Sequence, residues 1–128
     1  MKIKTFEDLR VWQKAVDLTV EIYAVMAKVN DFGFKNQIQR ASMSISNNLA
    51  EGFERGSDRD FKRFLFIAQG SCSEVKSMLI VAYRLTYIGF ESHAKLTSQV
   101  NEIGKMLFGL SNSLTDSHSR NFRSTASD

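Results

Sequence analysis

The stretch Gln37–Gly52, QIQRASMSISNNLAEG, carries two stripes at helical spacing, and few architectures accommodate both. Phe34, Ile38, Ala41, Ile45 and Leu49 form an apolar stripe, and Arg40, Ser44, Asn48, Glu51 and Arg55 form a polar one. Steps of three and four place each stripe on one face of a helix. An ordinary surface helix sets its apolar face against a solvated face of long charged side chains. Here the second face is mainly short Ser and Asn, which let another backbone come close and can hydrogen-bond across a packed interface. The pattern predicts a helix packed on more than one side and argues that the chain associates with copies of itself, so copies must supply partners, as must the remaining segments.

They do so as helices. Thr5 with Asp8 three residues on predicts an N-cap, and the first helix is expected to run to about Val29. Leu9, Trp12, Val16, Thr19, Tyr23 and Met26 form one stripe on it, and Ala15, Leu18, Ile22, Val25 and Val29 a second beside it. Together they make an apolar surface broader than a two-helix seam. Asn30, Asp31 and Gly33 break the helix. The second is expected over Phe34 to Arg55, with Gly56 as its stop. Ser57 caps a third, expected over Asp58 to Ile88, whose core side is Phe61, Phe64, Leu65, Ala68, Cys72, Val75, Leu79 and Ala82. Its middle, Gly70-Ser71-Cys72-Ser73, is small. A helix-interior glycine costs about 1 kcal/mol, so close approach by a neighbouring helix is the expected compensation. Gly89 ends it. In the fourth, Ser92 to Leu114, a heptad seam runs through Leu96, Val100, Ile103, Leu107, Leu110 and Leu114. There is no proline and no strand-like alternation. The expectation is all-α: an antiparallel up-down-up-down four-helix bundle over residues 1–114, followed by a flexible polar tail, 115–128.

Composition narrows the function classes. A chain of 128 residues with 43% hydrophobic content suits one domain with a core. Seventeen Lys and Arg against fourteen Asp and Glu leave a formal charge of +3. Residues 57–88 concentrate part of the surplus, with five basic and three acidic side chains. A lone Cys72 and the lack of an apolar N-terminal run suggest the cytoplasm. No stretch comes near about 20 consecutive apolar residues, so no membrane partner is expected. His93 and His118 are the only histidines and lack ligand spacing, which argues against a metal. Cys72 falls on an apolar stripe, where a thiol is inert. Phosphate loops and dinucleotide motifs are missing, so no cofactor, small-molecule substrate or enzymatic activity is expected.

Two sets of side chains remain. The small residues around Glu74 on the third helix predict that it, or Glu51, meets Arg40, with Ser44 and Asn48 completing a polar interface network and Arg55 pairing with Glu51. Arg59, Lys62, Arg63, Lys76 and Arg84 are the candidate nucleic-acid contacts. The first three cluster at the start of the third helix, flanked by Phe61 and Phe64, and are diluted by Asp58 and Asp60.

QIQRASMSISNNLAEG followed by GSDRDFKRFLFIAQGSCSEV resembles the four-helix bundle family of 23S ribosomal RNA intervening-sequence proteins, with its QIRRAxxSIxxNIAEG and FLxIAxGSxxE motifs. The opening TFEDLRVWQKAVDL is similar to that family's first helix, so the match spans about residues 5–90. Ser46 stands where many members have proline. The resemblance implies a homopentamer with a positively charged surface. It also implies similarity to the accessory variability proteins of diversity-generating retroelements, which bind nucleic acid beside a reverse transcriptase; a partner of that kind is implied with it. The function expected is a non-enzymatic, oligomeric adaptor for RNA or DNA. The alternative is a structural or protein-interaction module with no nucleic-acid role.

Overall fold

Asp31 sets where the second helix begins. Its carboxylate accepts the Phe34 amide at 3.1 Å, which satisfies a donor that the first turn leaves open. In the computed structural model, which describes residues 2–115, four α-helices follow a single 3-10 turn at Phe6–Asp8: α1 (Arg10–Met26), α2 (Phe32–Phe53), α3 (Asp58–Arg84) and α4 (Phe90–Ser113). No strand occurs among the described residues. The expected tail lies, beyond Thr115, outside them, as does His118.

The helix ends depart from the sequence expectation for local reasons. The first helix does not start at Thr5. The Asp8 carboxylate accepts the Lys4 and Thr5 amides at 2.9 and 3.1 Å and closes a separate turn, after which Leu9 is extended and fully buried. Asp31 caps α2 instead of merely breaking α1, so Gly33 falls inside the first turn. The third helix stops at Arg84, not Ile88. Thr86 takes φ +62°, the Thr86 amide donates to Tyr83 O at 3.0 Å, and the Tyr87 amide donates to Ala82 O at 2.8 Å. This is the Schellman arrangement, with a β-branched residue where glycine is favoured. Thr86 is exposed, so Thr86→Gly relieves left-handed strain without removing packing. A gain of about 1 kcal/mol is expected, a rise in Tm of roughly 4 °C by thermal melt. An unchanged or lower Tm would mean that glycine's freedom in the unfolded chain cancels the relief.

One core joins all four helices. Leu18, Ile22 and Met26 of α1, Ile38, Ile45 and Leu49 of α2, Phe61, Leu65 and Leu79 of α3, and Leu96, Ile103 and Leu107 of α4 are essentially solvent-free. Each such side chain contributes about 1.5–3 kcal/mol by leaving water. The stripes read on α3 and α4 are the buried ones. α2 packs against both α1 and α3, and α3 against α2 and α4, while no Cα of α1 comes within 8 Å of one in α3.

The close approach expected along Gly70-Ser71-Cys72-Ser73 comes at Ser71, whose Oγ lies 2.8 Å from Ser44 Oγ of α2, and not at Gly70 itself. A Cβ at Gly70 would meet nothing within 4 Å, whereas one at Gly52 would lie 2.6 Å from Phe64 Cβ. The α2–α3 crossing is therefore pinned at Gly52, and Gly70 lies on the outer side of α3. That side also corrects the expectation about apolar stretches. By length and composition alone α3 is long and apolar enough to cross a membrane, with a mean hydropathy of 1.3 over 18 residues. Interspersed Gln, Ser and Glu hid this from a count of consecutive apolar residues. Its inner side chains are covered by the bundle.

Contacts between helix ends hold the bundle in register. The Tyr87 hydroxyl donates to Asp31 Oδ2 at 2.7 Å. That bond holds the Asp31 carboxyl below its ordinary value and lifts the Tyr87 phenol above its own. Lys95 and Gln99 of α4 both bond Glu21 of α1, and the Lys95 ammonium holds that carboxyl below the usual range. Asp58, at the start of α3, is buried and accepts the Thr115 amide at 3.1 Å.

Candidate nucleic-acid interface

The polar stripe of α2 divides between two places. Arg40, Ser44 and Glu74 line one groove of about 520 Å³ between α2 and α3. Within it Ser71 Oγ lies 2.8 Å from Ser44 Oγ, and Asn48 Nδ2 donates to Ser44 Oγ at 2.9 Å and to Ser44 O at 2.7 Å. These three short side chains form the compact centre of the α2–α3 contact. Arg40 is not part of it. It is exposed and makes no ion pair with Glu74 or Glu51; Glu74 instead accepts Gln37 Nε2 at 3.3 Å. Glu51 and Arg55 lie farther along α2 and pair at 2.9 Å across one turn. Sequence reasoning missed Ser71's share in this centre, and also Ser42 and Ser46. Both of these are buried and donate to backbone carbonyls three residues back. α2 runs unbroken through Ser46.

The small polar face of α2 is thus satisfied inside one chain, because α3 covers it. The broad surface of α1 is also partly used internally: Trp12 sets its edge against Phe6, with ring centroids 5.2 Å apart. What stays open there is a patch in which Tyr23 touches the Met43 sulfur at 3.6 Å, with Val20 nearby in the α1 sequence and 62% exposed.

The candidate basic residues all fall on the outer side of α3. Positions 59, 62, 63, 66, 69, 70, 73, 76, 77, 80 and 84 step by three and four, opposite the buried set at 61, 65, 68, 72, 75, 79 and 82. This outer face holds Arg59, Lys62, Arg63, Lys76 and Arg84, with the carboxylates of Asp60 and the exposed Glu74 along its edge. From Arg59 to Arg84 it extends about 37 Å at 1.5 Å per residue. Asp58 is buried at the start of α3, where its carboxylate accepts the Thr115 amide. Asp60 lies beside Arg63 at a loose 3.7 Å. The flanking aromatics read from the sequence do not lie on the face: Phe61 is fully buried and Phe64 is 6% exposed. Phe64 is covered by Arg55 and Arg63, each 5.0 Å from its ring centroid. The aromatic that does face outward is Phe66, 75% exposed.

No three His, Cys, Asp or Glu residues come together for a metal among the described residues. Burial pushes the Cys72 thiol up to about 12, so it is neither nucleophile nor ligand near neutrality.

A model of the 23S rRNA-intervening sequence protein family matches residues 7–109. Among solved structures, a Bacteroides thetaiotaomicron protein of unknown function from the S23 ribosomal protein family is similar at a TM-score of 0.74. It shares 28% identity, and the alignment covers 79% of this chain and 97% of that one. Among curated protein sequences none matches.

Proposed function

The chain belongs to the 23S rRNA-intervening sequence protein family, and from that premise we propose that it is a non-enzymatic adaptor that binds RNA or DNA through the outer face of α3. The observation that carries this reading is the gathering of five cations on the outer side of a single helix, against two carboxylates, Asp60 and Glu74, at its edge. Such a stripe tracks a phosphate backbone, and its binding is dominated by counterion release. The bundle is antiparallel, up-down-up-down, and works as a homo-oligomer, with five subunits implied by the family resemblance. Copies join on the α1 side, through Val20, Tyr23 and Met43. Because α1 and α3 do not pack side by side, that arrangement leaves each α3 outer face available and repeats a modest basic stripe around the assembly. Such an adaptor acts in the cytoplasm and lends its nucleic-acid grip to an enzyme such as a reverse transcriptase.

Fluorescence anisotropy with labelled RNA and DNA tests the reading, on a sample whose mass is set by light scattering. The logarithm of affinity should fall linearly with the logarithm of salt concentration. Replacing Arg59, Lys62 and Arg63 together by alanine should weaken binding and flatten that slope by about two units, at about 0.7 per lost contact on a single strand. A flat salt dependence in the wild type, or no binding at low salt, would remove the proposal. A monomer at high concentration would remove the oligomeric part alone.

A further inference from the structure

Beside the basic face, α3 and α4 leave a groove of about 560 Å³ between them, a size common to sites for small ligands. Gln69 and Lys76 on α3 and Asn101, Gly104, Lys105 and Phe108 on α4 line it, and no lining residue is acidic. Phe108 stands off the α4 seam and is 61% exposed. Neither lysine makes an ion pair among the described residues. Gly104 borders open space, since a Cβ there would meet nothing within 4 Å, so a larger side chain can be placed at this position. The combination is specific in kind: an aromatic face, two cations and two side-chain amides around one hollow.

We infer that this groove seats a single strand of nucleic acid, with one base stacked on Phe108, flanking phosphates at Lys76 and Lys105, and the base edge within reach of the Gln69 and Asn101 amides. The inference rests on the function proposed above and narrows it. In a duplex, bases are stacked on one another and their π-faces are hidden; an exposed aromatic beside cations therefore selects unpaired bases. The amides offer both donors and acceptors, so the groove reads base edges with little sequence preference. Lys76 belongs to both the groove and the outer face of α3, which makes the two surfaces continuous: the strand runs along the basic stripe and drops one base into the groove.

The test uses the full chain and a fluorescein-labelled deoxythymidine strand of roughly 12 nucleotides, within known single-strand site sizes, against a duplex of equal length. The wild type should prefer the single strand. Phe108→Ala should lower its affinity about tenfold, the scale of one lost stack, with the salt slope unchanged because no charge is removed. Lys76→Gln with Lys105→Gln should flatten the slope by about 1.4 units. Gly104→Leu fills the hollow while improving helix propensity, so its Tm should match or exceed the wild type even as single-strand binding is lost. If the wild type binds and both Phe108→Ala and Gly104→Leu bind equally well, the groove is not the seat, and the basic face stands without it. If either variant changes the mass by light scattering, the groove is a contact between copies and the inference is overturned. If the wild type binds nothing at low salt, the proposed function has failed and this inference falls with it.

Discussion

Gly52→Ala lowers the stability of the bundle by about 3 kcal/mol, a drop in Tm of roughly 12 °C. Helix propensity argues the other way, since alanine is favoured over glycine by about 1 kcal/mol inside a helix. Packing wins because the obstruction cannot rotate aside. The new methyl would lie 2.6 Å from Phe64 Cβ, 3.2 Å from Phe64 Cγ and 3.0 Å from Phe61 Cδ1. A Cβ is fixed to its backbone, so α2 and α3 must part. Parting them strains the Ser44–Asn48–Ser71 centre, which lies within the same contact. Phe64→Ala does not rescue the variant, because it keeps the offending Cβ. A thermal melt of the single and double variants checks this. A Tm for Gly52→Ala at or above the wild type would show that the helices separate freely and that Gly52 is not the pin.

The contrast between Gly52 and Gly70 shows where sequence reasoning stops. Both glycines interrupt a helical pattern, and the small residues around Gly70, not Gly52, are what the sequence marks for a close approach. Which one meets a neighbour depends on the crossing point of α2 and α3, a register that periodicity does not encode. Periodicity did locate the buried faces of α3 and α4, because burial against a core repeats every three to four residues. It was weaker at helix ends. There, single hydrogen bonds decide: Asp8 closing a turn on Lys4 and Thr5, or Thr86 accepting a left-handed conformation. The same split holds for the candidate interface. The five basic residues share a helical face that could be read from spacing alone. Which aromatic accompanies them could not be, since Phe61, Phe64 and Phe66 are close in sequence and only Phe66 points away from the core. Lys105 and Phe108 were beyond reach because they belong to the adjacent helix. Phe108's position off the α4 seam was the one available hint. Arg40 and Glu74, expected to meet, line one groove but form no ion pair. In an exposed groove water solvates both charges, and an ion pair there adds little.

The deepest cost belongs to Phe61. It is fully buried and stacks on Phe53 at 6.0 Å with the rings 29° apart, so Phe61→Ala removes a ring from the core and leaves a cavity beside another aromatic. A loss of about 4 kcal/mol is expected, a Tm lowered by roughly 16 °C. This site also couples to Gly52, because Phe61 Cδ1 is one of the atoms that a methyl at Gly52 would strike. Removing the ring clears that contact and leaves the contact with Phe64 Cβ. The double variant Gly52→Ala, Phe61→Ala should therefore be less unstable than the sum of the two singles by about 1 kcal/mol, yet clearly worse than Phe61→Ala alone. Urea unfolding of the four proteins, placed in a Thr86→Gly background to keep the weakest of them folded, measures the coupling. If the double variant matches Phe61→Ala, the ring alone excludes a side chain at position 52. If the losses add fully, α2 and α3 move apart as rigid rods, and no single atom of α3 dictates glycine at the crossing.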